Sequence, residues 1–125
     1  MKKIGTMTSD GDALVDLTVE APAPGGKTRE VEAVLDTGFN GFLALPADLI
    51  ASLDLDHRYE LELTLASGAT QSVPTYEATV RWDGVSRSVE VVEAGEVLAG
   101  TALFWGHVLR VDCTEGGAVH ARERA

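Results

Sequence analysis

Apolar and polar residues alternate with a period of two along most of the chain. Ala13, Val15, Leu17 and Val19 interleave with Leu14, Asp16, Thr18 and Glu20, and Val31, Ala33 and Leu35 with Glu30, Glu32 and Val34. The cleanest alternation sets Tyr59, Leu61, Leu63 and Leu65 against Glu60, Glu62 and Thr64. Strands of this kind bury one face and wet the other, which predicts antiparallel sheet. Turn residues fall between the runs. Asp83-Gly84 separates Ala78–Trp82 from Val85–Val92, the strongest short-range hairpin signal. Ser67-Gly68 separates Tyr59–Ala66 from Thr70–Trp82. Pro74 has no N–H for a ladder, so its stretch is expected at a sheet edge or in a hairpin arm. One helix is predicted over Pro46–Leu53, with Pro in its first turn, Asp48 near its positive end, and Leu49, Ile50 and Leu53 on one face. A second short turn is expected around Thr101–Phe104. The pattern as a whole describes a small, mostly β domain, either a sandwich or a barrel.

At 125 residues the chain has room for one sizeable core, and a single domain over 1–125 is expected. Pro22-Ala23-Pro24-Gly25-Gly26 is the one Pro/Gly cluster, and its length suits a hairpin loop. Twenty acidic against ten basic residues give a net charge of −10. That balance argues against nucleic-acid or anionic-membrane partners, because phosphate binding rests on clustered Lys and Arg. A single cysteine, Cys113, excludes an intrachain disulfide framework and any multi-Cys metal site. No apolar run approaches a membrane span, and Met1–Thr6 lacks an apolar signal region. A cytoplasmic protein is expected.

The chemistry concentrates at Asp36-Thr37-Gly38, directly after the apolar residues Ala33, Val34 and Leu35 and ahead of Phe39-Asn40-Gly41-Phe42-Leu43-Ala44-Leu45-Pro46. This order sets a carboxylate at a strand end with a hydroxyl beside it. The glycine next in line lets another backbone come close. A carboxylate there needs partners or a raised pKa. As a bare tripeptide the motif is weak, since any given tripeptide occurs by chance in roughly a few per cent of chains this long. Read blandly, it is a turn.

Placed after a hydrophobic strand, however, Asp-Thr-Gly resembles the active-site signature of the retropepsin-like aspartic peptidases. That family carries a second element downstream, two hydrophobic residues and a Gly before a short helix. Val97-Leu98-Ala99-Gly100-Thr101-Ala102-Leu103-Phe104 is similar to it, with Ala99 inserted unless Leu98-Ala99 is itself the pair. Val108–Asp112 resembles the family's closing strand, and the Ser67-Gly68 hairpin lies where the family places its substrate-covering flap. The resemblance covers about residues 12–113 and is nearest to the small single-domain prokaryotic members, in which an aromatic and an Asn-Gly also come after the signature. It implies an all-β, small closed barrel-like fold with one or two short helices, and an aspartic endopeptidase without cofactor or metal. It also implies a homodimer acting on a peptide or protein substrate. Asp36, Thr37 and Gly38 would be its catalytic residues. Phe39, Asn40, Gly41, Ser67 and Gly68 would contact substrate, with Phe39 narrowing the cleft. Because the chain carries one such motif, two Asp36 carboxylates would meet on a twofold axis, and the Thr37 hydroxyl would bond the partner's loop.

The remaining candidates are read as structure. His57, His107 and His120 lack metal-ligand spacing. Cys113, after Asp112 in an apolar strand, is expected to be buried and inert. Ser9-Asp10-Gly11-Asp12 is a turn without the remaining ligands of a calcium loop. Trp82 and Trp105 are expected in the core, with a cleft-lining role as the alternative. A dimeric β module that binds peptides without cleaving them is the competing function.

Overall fold

A computed structural model describes residues 1–125. It contains ten strands and one helix: β1 (Lys2–Met7), β2 (Ala13–Glu20), β3 (Thr28–Leu35), β4 (Leu43–Leu45), α1 (Ala47–Ser52), β5 (Asp56–Thr64), β6 (Thr70–Trp82), β7 (Val85–Glu93), β8 (Leu98–Ala99), β9 (His107–Val111) and β10 (Ala118–Glu123). Local turn chemistry sets the hairpins. Asp83 and Gly84 both take positive φ, 46° and 78°, as a two-residue turn matched to strand twist requires, and β6 and β7 pair without interruption from Trp82↔Val85 to Thr75↔Val92. Between β1 and β2, Asp12 O accepts the Thr8 N–H and Thr8 Oγ1 accepts the Asp12 N–H, so Ser9–Asp12 is a hairpin turn.

All strands belong to one sheet, ordered β5-β6-β7-β4-β8-β3-β2-β1-β10-β9. A further pairing, Thr18↔Arg81 through Glu20↔Thr79, joins β2 to β6 and closes six strands into a ring. The even-odd pattern of β2 turns Val15, Leu17 and Val19 inward, where they meet Ala33, Leu43, Leu45, Val80 and Val91 in the buried core. Outside the ring, β1, β10 and β9 continue the sheet from β2. The fold is thus all-β. The helix runs over Ala47–Ser52, with Pro46 as its N-cap (ψ 153°) and Leu53 as its C-cap. Ile50 and Leu53 are buried against the ring. At six residues it is the longest helix, and no helix is long and apolar enough to cross a membrane.

Three sequence-based expectations change. The alternating strand Tyr59–Leu65 buries neither face: Tyr59, Leu63 and Leu65 are 48%, 42% and 45% exposed. Its reason lies in β6, which changes partner along one edge. Thr70–Glu77 pairs with β5, then Thr79–Arg81 pairs with β2. The β5–β6 hairpin therefore leaves the ring as an arm, and Pro74 stands where β6 has already parted from β7. The short turn expected around Thr101–Phe104 is present and extends over 101–106, with Leu103 N–H to Gly100 O, Trp105 N–H to Ala102 O and His107 N–H to Phe104 O. Cys113 is exposed because β9 ends at Val111 and the chain turns back, Asp112 N–H to Ala118 O. Trp82 is buried edge-on to Phe104, whereas Trp105 is 75% exposed.

Candidate active site

The end of β3 is held from within and from the side. Ala33 is fully buried and Leu35 packs against the core. Next to it lies β8, which runs parallel to β3 (Val34↔Leu98, Leu35↔Ala99) and antiparallel to β4 (Leu43↔Ala99, Ala44↔Leu98). This two-residue strand therefore threads between the strands before and after the Asp36 loop. Of the two registers open for the downstream motif, Leu98-Ala99 is the pair that enters the sheet. Val34 N–H donates to Val97 O at 3.0 Å and Asp36 N–H to Ala99 O at 2.9 Å.

The loop from Asp36 to Phe42 arches over the end of β8 and is bonded to residues 100–102, the turn that leaves this strand. Gly100 N–H donates to Phe42 O (3.0 Å), Thr101 N–H to Phe39 O (3.0 Å) and Ala102 N–H to Gly41 O (3.2 Å). The Thr101 hydroxyl adds a longer bond to Phe39 O at 3.4 Å. Such an approach leaves no room at Gly100, where a Cβ would stand 2.1 Å from Gly41 O and 2.7 Å from both Phe39 O and its ring. The Phe39 ring also covers Gly41, whose Cβ would meet it at 2.6 Å. The ring, expected to border a cleft, packs on these two glycines inside the crossing.

Asp36 itself is half-buried, and its Oδ1 accepts the Gly38 N–H at 2.9 Å. Phe39 N–H donates to Asp36 O at 3.1 Å, which tightens the turn. A Cβ at Gly38 would stand close to Asp36 Oδ1, at 3.2 Å. No cation pairs with Asp36, whose other oxygen has no partner within the chain. Thr37, Gly38 and Asn40 are exposed beside it. A carboxylate, a hydroxyl and a bare backbone are thus presented on a braced loop at the surface. Such a set can activate water or donate a hydrogen bond once a second acid faces it.

Ser67 and Gly68 lie at the tip of the β5–β6 arm. Gly68 (φ 86°) donates its N–H to Leu65 O, and Ser67 Oγ accepts the Ala69 N–H at 3.4 Å. Their hydrogen bonds stay within the arm. Along it, Leu61 pairs with Val73 and Leu63 with Gln71 on one face, while Glu62 pairs with Ser72 on the other. None of Leu61, Leu63, Leu65 or Val73 packs against the core. At its base the arm is anchored by Thr75, fully buried, whose hydroxyl donates to Tyr59 O at 2.7 Å, and by the Arg58–Glu77 ion pair at 2.6 Å.

Sequence reasoning missed Arg87 as part of this region. An open groove of about 480 Å³ beside the loop is lined by Asn40, Phe42, Arg87, Thr101, Ala102 and Trp105. The larger concavity, about 860 Å³, lies elsewhere, between the acidic outer faces of β2 and β3 and the Asp83-Gly84 turn. It holds none of the predicted site residues. His57 faces Glu60, His107 lies edge-on to Trp82, and no group of three or more His, Cys, Asp or Glu comes together as a metal site would require. Set against known families, curated proteins and solved structures, the chain matches none of them.

Proposed function

We propose that this chain is one half of a homodimeric aspartic endopeptidase of the retropepsin-like type, hydrolysing peptide bonds between two copies of Asp36. The observation that carries the reading is the crossing of β8 between β3 and β4. It fixes a half-buried carboxylate on a glycine turn, with one oxygen bonded to its own loop and the other without a partner. A single carboxylate cannot serve as base and acid together, and the exposed Thr37 and Gly38 beside Asp36 suit a twofold contact that supplies the second. Two carboxylates roughly 3 Å apart cannot both ionise, so the pair shares one proton. The ionised one takes a proton from a bound water as its oxygen attacks the peptide carbonyl, and the protonated one donates to the developing oxyanion. Collapse of the tetrahedral intermediate then breaks the C–N bond, with the amine leaving protonated. The Thr37 hydroxyl, without a partner in its own chain, is available to the other loop.

The ring of six strands with a projecting arm suits the closed, barrel-like fold that this chemistry uses. In this reading Leu61, Leu63, Leu65 and Val73 close over a bound peptide, which would explain an apolar row that nothing in the chain covers. Asn40 and Gly41, on the braced loop, would meet the peptide backbone. The exposed free thiol of Cys113 fits a reducing cytoplasm.

The test is cleavage of a denatured-proteome peptide mixture by wild type and by Asp36→Asn at several pH values, with new termini read by mass spectrometry. Cleavage that depends on Asp36 is expected, with a loss on the order of 10⁴-fold in the variant. Peptide capture without Asp36-dependent cleavage, from a dimeric protein, would instead support the second reading. That reading is a peptide-binding module using the unpaired outer edge of β5.

A further inference from the structure

We propose that Arg87 is a positioning residue for the Asp36 loop, acting through the turn after Gly100. This inference rests on the peptidase reading for its catalytic consequence, though not for the physical link itself. Arg87 lies on β7, half-buried, and its guanidinium reaches across to backbone carbonyls. Nη1 donates to Leu103 O at 2.7 Å and, at 3.5 Å, to Ala102 O, and Nη2 donates to Trp105 O at 2.8 Å. The cation also sits 5.6 Å from the centre of the buried Trp82 ring.

Arg58, Arg81 and Arg110 each pair with Asp or Glu, whereas the Arg87 guanidinium bonds three carbonyls of one turn distant in sequence. Its charge is therefore committed to one short turn. That turn has two ends. Its carbonyls at 102, 103 and 105 face Arg87, and its N–H groups at 100, 101 and 102 donate to the carbonyls of Phe42, Phe39 and Gly41. Charge-assisted bonds at the carbonyl end orient the turn, and one relay reaches its donors: Ala102 O shares a peptide unit with the Leu103 N–H, which donates to Gly100 O, and that carbonyl shares its unit with the Thr101 N–H. Arg87 also draws off the acceptors that a helix over 101–106 would need, since Leu103 O bonds the guanidinium and His107 N–H turns to Phe104 O. The turn is thereby kept in the one shape that places Thr101 and Ala102 on the Asp36 loop. Lysine cannot replace it, because a single ammonium lacks the planar fork that spans the carbonyls of residues 103 and 105.

Hydrogen exchange and peptide cleavage are measured on full-length wild type, Arg87→Gln and Arg87→Lys. In Arg87→Gln the Thr101 and Ala102 amides are expected to exchange about tenfold faster, the effect of losing roughly one charge-assisted bond's net strength. Amides of Val19 and Val80 in the ring should keep their rates. Asp36-dependent kcat should fall about tenfold with KM within about twofold, as a geometric fault predicts, and Arg87→Lys should recover little of it. Unchanged exchange at Thr101 and Ala102 would overturn the proposal, as would equal acceleration at Val19 and Val80, which would mark a general loss of stability. Full recovery by Arg87→Lys would overturn it too, leaving charge alone as the cause. Should Arg87→Gln fail to fold, Arg87→Lys carries the same exchange test. If wild type shows no Asp36-dependent cleavage, the peptidase reading fails, while the exchange result still decides whether Arg87 holds the loop.

Discussion

The Asp36 loop and the β5–β6 arm are opposites in how they are held. The loop has no regular pattern and little apolar surface, yet it is tied by backbone bonds at residues 36, 39, 41 and 42 and tolerates no side chain at Gly100. The arm has the clearest alternation in the chain and a well-formed turn, yet beyond Thr75 it pairs only within itself and leaves Leu63 and Leu65 exposed. Periodicity thus reports that a strand has an apolar side. It does not report what lies against that side, and in the arm nothing from the same chain does. A braced loop and an uncovered apolar arm are the division of labour expected of a site, where chemistry needs fixed geometry and binding needs an accessible surface.

Substitutions can break or sharpen this contrast. The largest structural effect is expected at the crossing. Gly100→Ala forces a Cβ to within 2.1 Å of Gly41 O, and about 3 kcal/mol of stability should be lost in urea unfolding at fixed protein concentration. A loss under about 1 kcal/mol would mean that the crossing is loose. Next, Thr37→Ala removes the hydroxyl proposed to bond the partner's loop, and the dimer dissociation constant from sedimentation should rise about tenfold. An unchanged constant would remove Thr37 from the interface. A smaller effect is expected at the arm's tip. At Gly68 a Cβ meets nothing within 4 Å, but φ is 86°. Gly68→Ala should therefore cost about 1 kcal/mol through backbone strain alone. A cost equal to that of Gly100→Ala would erase the distinction between the two regions. The smallest stability change belongs to the double variant Leu63→Ser, Leu65→Ser, expected within about 0.5 kcal/mol of wild type because both side chains are exposed. The same variant should weaken peptide binding several-fold, seen as a raised KM or Kd. Large destabilisation with unaltered binding would show that the row is structural.

Much of this organisation was legible because it is local. Alternation in Ala13–Glu20 and Glu30–Leu35, positive-φ residues at Asp83-Gly84, and Pro46 ahead of Asp48 act over a few bonds, and their strands, hairpin and helix form where expected. The Asp36-Thr37-Gly38 motif was equally plain, as was its place at a strand end. Other features were not legible. Cys113 was expected inside an apolar strand, but β9 ends two residues earlier at a turn set by its pairing with β10. The turn around 101–106 was expected, but not that its carbonyls would go to Arg87, a residue with no mark in its own neighbourhood.

By itself, then, the sequence determined the strands, their turns, the acidic balance and the place of the Asp36 carboxylate at a strand end. Tertiary structure alone decided that β8 enters between β3 and β4, that Gly100 and Phe39 lock that crossing, and that the arm's apolar face stays uncovered. The reason is physical. Turn and strand preferences are properties of neighbouring bonds, whereas burial, close backbone approach and the choice of hydrogen-bond acceptor depend on which distant segment arrives.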